Sequence, residues 1–460
     1  MPLPFSITLV ELTFRGSIVF LVVLLSGAGV AFSQTTESQP FPGGLFGGGQ
    51  LGRRVHHKLD FSLSVVEAND SDTPTELGAI GPSDTLVGGY STMFMGNAEY
   101  HWDRSRVQVG ATGASVIRRY DQLQGVRSVS ASGGMGLSAR LGGRTTLLAN
   151  QSAAYSPSYL YGLFPSDAVK NLGETVPVAA DYAIDDSESY FYGTTLTLTR
   201  GLTRRSRLSA TGEFQYTDFL HETGTRRDLN SEGVHGEFLS NLARNTAVRV
   251  GYRYRTGKFG YGAEAIATET GVSATEHGID VGVEYSRQLS ATRRMMFSSS
   301  FGSSSVTTPI PSATATPHAN RLIRMSGDVA ATWQFTRGWQ TRGTFRRGLE
   351  YIAQLSEPVY IDGFSAELGG LITRRIDVLA SAHYSSGASA LNRDALTFDT
   401  RAADLRVQYA VTRSLAVYGQ YLYYFYDFTE NALLPTGIPW GLERNGIRAG
   451  LTLWVPAVRR

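Results

Sequence analysis

The feature that most constrains this chain is a two-residue alternation of apolar and polar side chains, recurring from Val55 onward in segments of about ten residues. Ile279, Val281, Val283 and Tyr285 are interleaved with Asp280, Gly282, Glu284 and Ser286. Val248, Val250, Tyr252 and Tyr254 alternate with Arg249, Gly251, Arg253 and Arg255, and Ile447, Ala449, Leu451, Leu453 and Val455 with Arg448, Gly450 and Thr452. Such segments are strands with one apolar and one polar or ionic face; a helical period does not fit them. A soluble sandwich also alternates, but about seven strands complete it. Here the segments run on with no second domain signal.

The connections decide the topology. Short ones recur at 103–106, 142–144, 202–205, 242–245, 291–294, 336–338, 373–375 and 412–414, each with an arginine. Long ones alternate with them and carry acid, as in Asp70, Asp72, Glu76 and Asp84, or Asp181, Asp185, Asp186 and Glu188. Short turns at one end and long loops at the other are the pattern of a bacterial transmembrane barrel. Eight short turns join sixteen strands. A first strand near Val55–Val66 and a last near Asn445–Val455 bring the total to about eighteen, an even number that puts both ends of the barrel on the periplasmic side. The sequence therefore predicts an all-β, antiparallel transmembrane barrel over 55–460, in the outer membrane of a double-membraned bacterium.

Residues 1–33 read as a cleaved signal peptide. The apolar run Ile18–Leu25 follows Arg15 and is too short to span a bilayer, and Ala31 and Ser33 suit a cleavage site before Gln34. Residues 34–54, rich in Gly, Ser, Thr and Pro, read as a flexible periplasmic leader. The chain has no cysteine, which removes thiol enzymes and cysteine metal sites. Its net charge of +2 gives no sign of a nucleic-acid partner.

In a barrel, the polar positions face the lumen because charge facing lipid is costly. The inner-face candidates are His235, Glu237, Arg249, Arg253, Arg255, Asp280, Glu284, Arg342, Arg346, Asp404, Arg406 and Arg448. The densest patch sets Arg249, Arg253 and Arg255 between His235 and Glu237 on one side and Asp280 and Glu284 on the other. It forms either a transverse field acting on polar solutes or a salt-bridge lattice stiffening the wall. Tyr100, Trp102, Tyr285, Trp333, Phe335 and Trp339 are candidates for an aromatic girdle at the short turns, with Phe214, Tyr216, Tyr252 and Tyr254 at the other end. Tyr421, Tyr423, Tyr424 and Tyr426 are candidates for a sugar-binding slide. The long loop at 156–188 is a candidate constriction. The basic short turns suit anionic headgroups. Catalytic and cofactor motifs are absent, so neither an enzyme nor a cofactor is expected.

The hairpins Leu196–Ser209 (LTLTRGLTRRSRLS) and Tyr409–Tyr421 (YAVTRSLAVYGQY) resemble those of a family of porin-like outer-membrane barrels associated with exopolysaccharide or exosortase loci. The resemblance lies in hairpin style over most of the chain after Arg54. It implies an outer-membrane barrel, and it suggests polysaccharide export. The function expected of such a chain is a porin-like channel for hydrophilic solutes or polysaccharide; the alternative is a non-conducting structural or adhesive barrel that binds surface glycans or ions. Expected partners are outer-membrane lipid and the barrel assembly machinery, with homo-oligomerisation allowed. Trp454, near the end of the last strand, is the candidate assembly signal, although the chain runs on to Arg460.

Overall fold

The computed structural model describes residues 56–71, 89–121, 127–156, 189–219, 228–260, 273–290, 292–309, 319–336, 338–353, 358–390, 396–429 and 440–459. The expected signal peptide, leader and 156–188 loop lie essentially outside these residues.

The described residues form strands β1 (His57–Asp70), β2 (Gly89–Arg104), β3 (Val107–Tyr120), β4 (Arg127–Arg140), β5 (Thr145–Ser156) and β6 (Ser189–Gly201). Next come β7 (Ser206–Phe219), β8 (Leu229–Asn241), β9 (Thr246–Phe259), β10 (Ser273–Ser290), β11 (Arg293–Pro309) and β12 (Ala319–Thr336). The last six are β13 (Trp339–Glu350), β14 (Val359–Leu371), β15 (Ile376–Ser389), β16 (Thr397–Ala410), β17 (Leu415–Phe428) and β18 (Gly441–Arg459). Each strand pairs antiparallel with its sequence neighbours, and β1 pairs with β18, closing an 18-stranded barrel. All eight short connections fall where the sequence places them. The first and last strands are longer than expected, reaching Asp70 and starting at Gly441.

Three of the eight short turns share a chemistry. In the β6–β7 turn, Thr203 Oγ1 accepts from the backbone N–H groups of Arg205 (3.1 Å) and Ser206 (3.0 Å). Thr373 does the same for Arg375 and Ile376, and Thr412 for Ser414 and Leu415. A threonine hydroxyl that satisfies two turn amides fixes the reversal, which is why Thr-Arg recurs at this end.

The outer face is apolar. Met325 is 73% exposed, Ile447 66% and Ile323 65%, and Leu63, Phe94, Val281, Phe301 and Leu451 are exposed beside them. Side chains this apolar and this bare need a hydrocarbon solvent. Trp102, Tyr285 and Trp333 lie on this face near the short turns, and Tyr252 and Tyr254 near the other end. The molecule is an outer-membrane β-barrel.

Candidate functional site: a polar lumen crossed by a hairpin

The inner face carries paired charge. Arg249 on β9 reaches Glu237 on β8 at 3.5 Å and Asp328 on β12 at 3.2 Å, and Asp328 also accepts a hydrogen bond from the Ser300 hydroxyl. His235 Nε2 stands 3.5 Å from Asp280 across β9, and Arg207 stands 3.5 Å from Glu284. On the facing wall, Asp404 accepts from the Gln420 amide, and Arg406 lies 4.7 Å over the Tyr418 ring and donates to Gln408. In the β8–β12 patch, then, Arg249 meets carboxylates of two other strands at 3.2–3.5 Å, which makes that patch a lattice as much as a field.

Toward the long-connection end the lumen changes character. β12 pairs with β13 only as far as Gly327 and Arg347, while β12 itself continues along β11 to Ala319. Released from β12, the top of the β13–β14 hairpin turns into the barrel, and both of its faces are covered. Leu349, Tyr351 and Tyr360 pack with Leu229, Phe259, Ala274 and Val306, inner-face residues of β8 to β11. Ile352, Val359 and Ile361 pack with Phe398, Tyr424, Tyr426, Phe428 and Leu442 of β16 to β18, and with Phe219 of β7. Ala353 touches both clusters. Each buried side chain of this size stabilises the inward position by about 1.5–3 kcal/mol, offset in part by the entropy of ordering the segment.

One arginine pins the hairpin to the wall. Arg255 on β9 bonds Glu276 on β10 (3.0–3.1 Å), lies 3.6 Å from Glu350, and donates to the Leu349 carbonyl. Its guanidinium also lies 4.7 Å over the Tyr351 ring, whose hydroxyl donates to the Ala274 carbonyl at 3.2 Å. The ring occupies the space that a β-carbon on residue 257 would need, so Gly257 is the seat of Tyr351.

No family model matches the sequence, and no curated protein matches it. Solved structures resemble it as barrels. The FrpB iron transporter of Neisseria meningitidis aligns at 9% identity over 86% of this chain and 82% of its own, with a TM-score of 0.42. OccK8 (OprE) and OpdQ of Pseudomonas aeruginosa align at 10% and 11% identity, each over 87% of this chain and 98% of its own, with TM-scores of 0.39. Likeness this low transfers neither solute nor mechanism.

The structure places all twelve inner-face candidates on the lumen side. Arg342 sits in register with Thr332 and Glu367, Arg346 with Asp328, Arg253 with His235, and Arg448 with Gln420 and Ala68. Arg346 also pairs with Glu350 at 2.6 Å. The expected patch is regrouped: Arg255 belongs to Glu276 and the hairpin, not to Asp280 or Glu284. The tyrosine slide is not formed. Tyr421 and Tyr423 point outward, and Tyr424 and Tyr426 are 0% exposed inside the apolar cluster. Sequence reasoning missed Glu276, Glu350 and Tyr351, and also a buried cluster in which Asp70 on β1 accepts from Arg118 on β3 and pairs with Arg444 on β18 at 2.7 Å. Drawing the strands to their full length would have put Asp70, Glu276 and Arg444 on the inner face.

Proposed function

We propose that the protein is a channel for hydrophilic solutes across the outer membrane, narrowed by the inward β13–β14 hairpin. The observation that carries this reading is the ionised inner face of a closed 18-stranded wall. A barrel of that size is wide enough to hold water, and rings of fixed charge select polar solutes. The protein acts without a chemical step or cofactor, and the barrel assembly machinery inserts it. A link to polysaccharide export draws its support from the resemblance of the Leu196–Ser209 and Tyr409–Tyr421 hairpins.

A second reading has its own observation. The hairpin is buried on both faces, as a permanent strut would be, which favours a non-conducting structural or adhesive barrel. Single-channel recording of the refolded protein in planar bilayers separates the two. Steady current that grows when Arg255→Gln loosens the hairpin supports the channel. A correctly folded barrel that stays silent in both forms rejects it and leaves the structural role.

A further inference from the structure

Charges on the outer face are sorted by end. Among the described residues, the outward-facing carboxylates are Glu67, Asp218, Glu232, Asp362, Asp399, Asp427 and Glu443, and all lie on the half nearer the long connections. On the half nearer the short turns, the outward positions carry arginine: Arg104 on β2, Arg200 on β6, Arg287 on β10 and Arg293 on β11. Asp103 and Asp377, which lie at the same level, face inward beside Gln108 and Gln408. The four arginines are exposed, and among the described residues none of them forms an ion pair.

Their placement relative to the apolar belt is regular. Arg104 follows Trp102 by two residues, Arg200 follows Leu198, and Arg287 follows Tyr285, so each guanidinium stands one outward position beyond a belt side chain, with Leu202 and Leu289 exposed two residues past Arg200 and Arg287. Exposed arginines of the turns, Arg106, Arg204, Arg244, Arg374 and Arg413, carry the basic band around the rim. A guanidinium there keeps its stem against apolar surface and its head at the level of lipid phosphates. It also presents planar paired donors, which match two phosphate oxygens.

We infer that these arginines form a collar that binds the phosphate groups of anionic phospholipids in the leaflet on the short-turn side. The collar fixes the depth and tilt of the barrel. This holds whether or not the lumen conducts.

The test compares folding equilibria in urea for the full protein in phosphatidylcholine vesicles and in vesicles of the same chain length containing phosphatidylglycerol. The wild type should gain stability with anionic lipid, and the gain should shrink in high salt. The variant Arg104→Gln/Arg200→Gln/Arg287→Gln/Arg293→Gln should fold as well as wild type in neutral vesicles and lose most of the gain, by up to roughly fivefold in the equilibrium per arginine. Arg119→Gln/Lys258→Gln/Arg401→Gln removes outward basic residues at the opposite end and should keep the gain. An undiminished gain in the first variant, or an equal loss in the second, overturns the collar. So does an equal gain from inorganic phosphate added to neutral vesicles, which would mark a free-anion effect.

Discussion

At the scale of the residue, two glycines matter more than their size suggests. Gly257 makes room for the Tyr351 ring, and Gly446, opposite Asp70 across β1 and β18, leaves the space into which the Asp70 carboxylate turns. Gly257→Ala should displace Tyr351 and weaken the Arg255 clasp, raising single-channel conductance while leaving the barrel folded; unchanged conductance would mean that the hairpin does not limit the bore. Asp70 is nearly buried between two guanidiniums that are buried with it. Asp70→Asn removes the only negative charge among these three groups, and urea unfolding should register a loss of about 3–5 kcal/mol. Alternation shows that such residues face inward. It does not show which inner residues touch across the lumen, because that depends on strand length and on whether a hairpin leaves its neighbour.

At the scale of the element, the sequence was legible wherever local chemistry decides the outcome. The Thr-Arg turns announced themselves, and their hydroxyls are seen to accept turn amides. Thr412→Ala should cost about 0.5–1.5 kcal/mol, measured by urea unfolding, with barrel closure retained. The inward hairpin was not legible. Leu349 and Tyr360 sit at positions whose alternation reads as lipid-facing, and hydrocarbon and a packed lumen select the same side chains. One signal was present nonetheless: β17 is apolar on both faces, with Tyr421, Tyr423 and Phe425 outside and Leu422, Tyr424, Tyr426 and Phe428 inside. A barrel strand of that kind must have its inner face covered. Ile361→Asn puts an amide into that covered contact, and it should free the hairpin and raise conductance in the same direction as Gly257→Ala.

At the scale of the whole molecule, the strand count, the closure and the common side of both barrel ends follow from the eight short turns. Insertion adds a test: Trp454, whose ring lies 4.6 Å beneath the Arg459 guanidinium, stands close to the end of the last strand. Trp454→Ala should slow assembly into the outer membrane in cells; insertion at the wild-type rate would remove Trp454 as the recognition feature. The pairing of β1 with β18 carries a further consequence. It is the one junction of the wall whose two strands are not joined by a nearby connection, since Ser64 and Thr452, which share a 2.8 Å hydrogen bond across it, are 388 residues apart. Until it zips, two strand edges stand unpaired in a solvent that cannot satisfy them. The cylinder therefore has a seam, and the Asp70–Arg444 pair is its clasp.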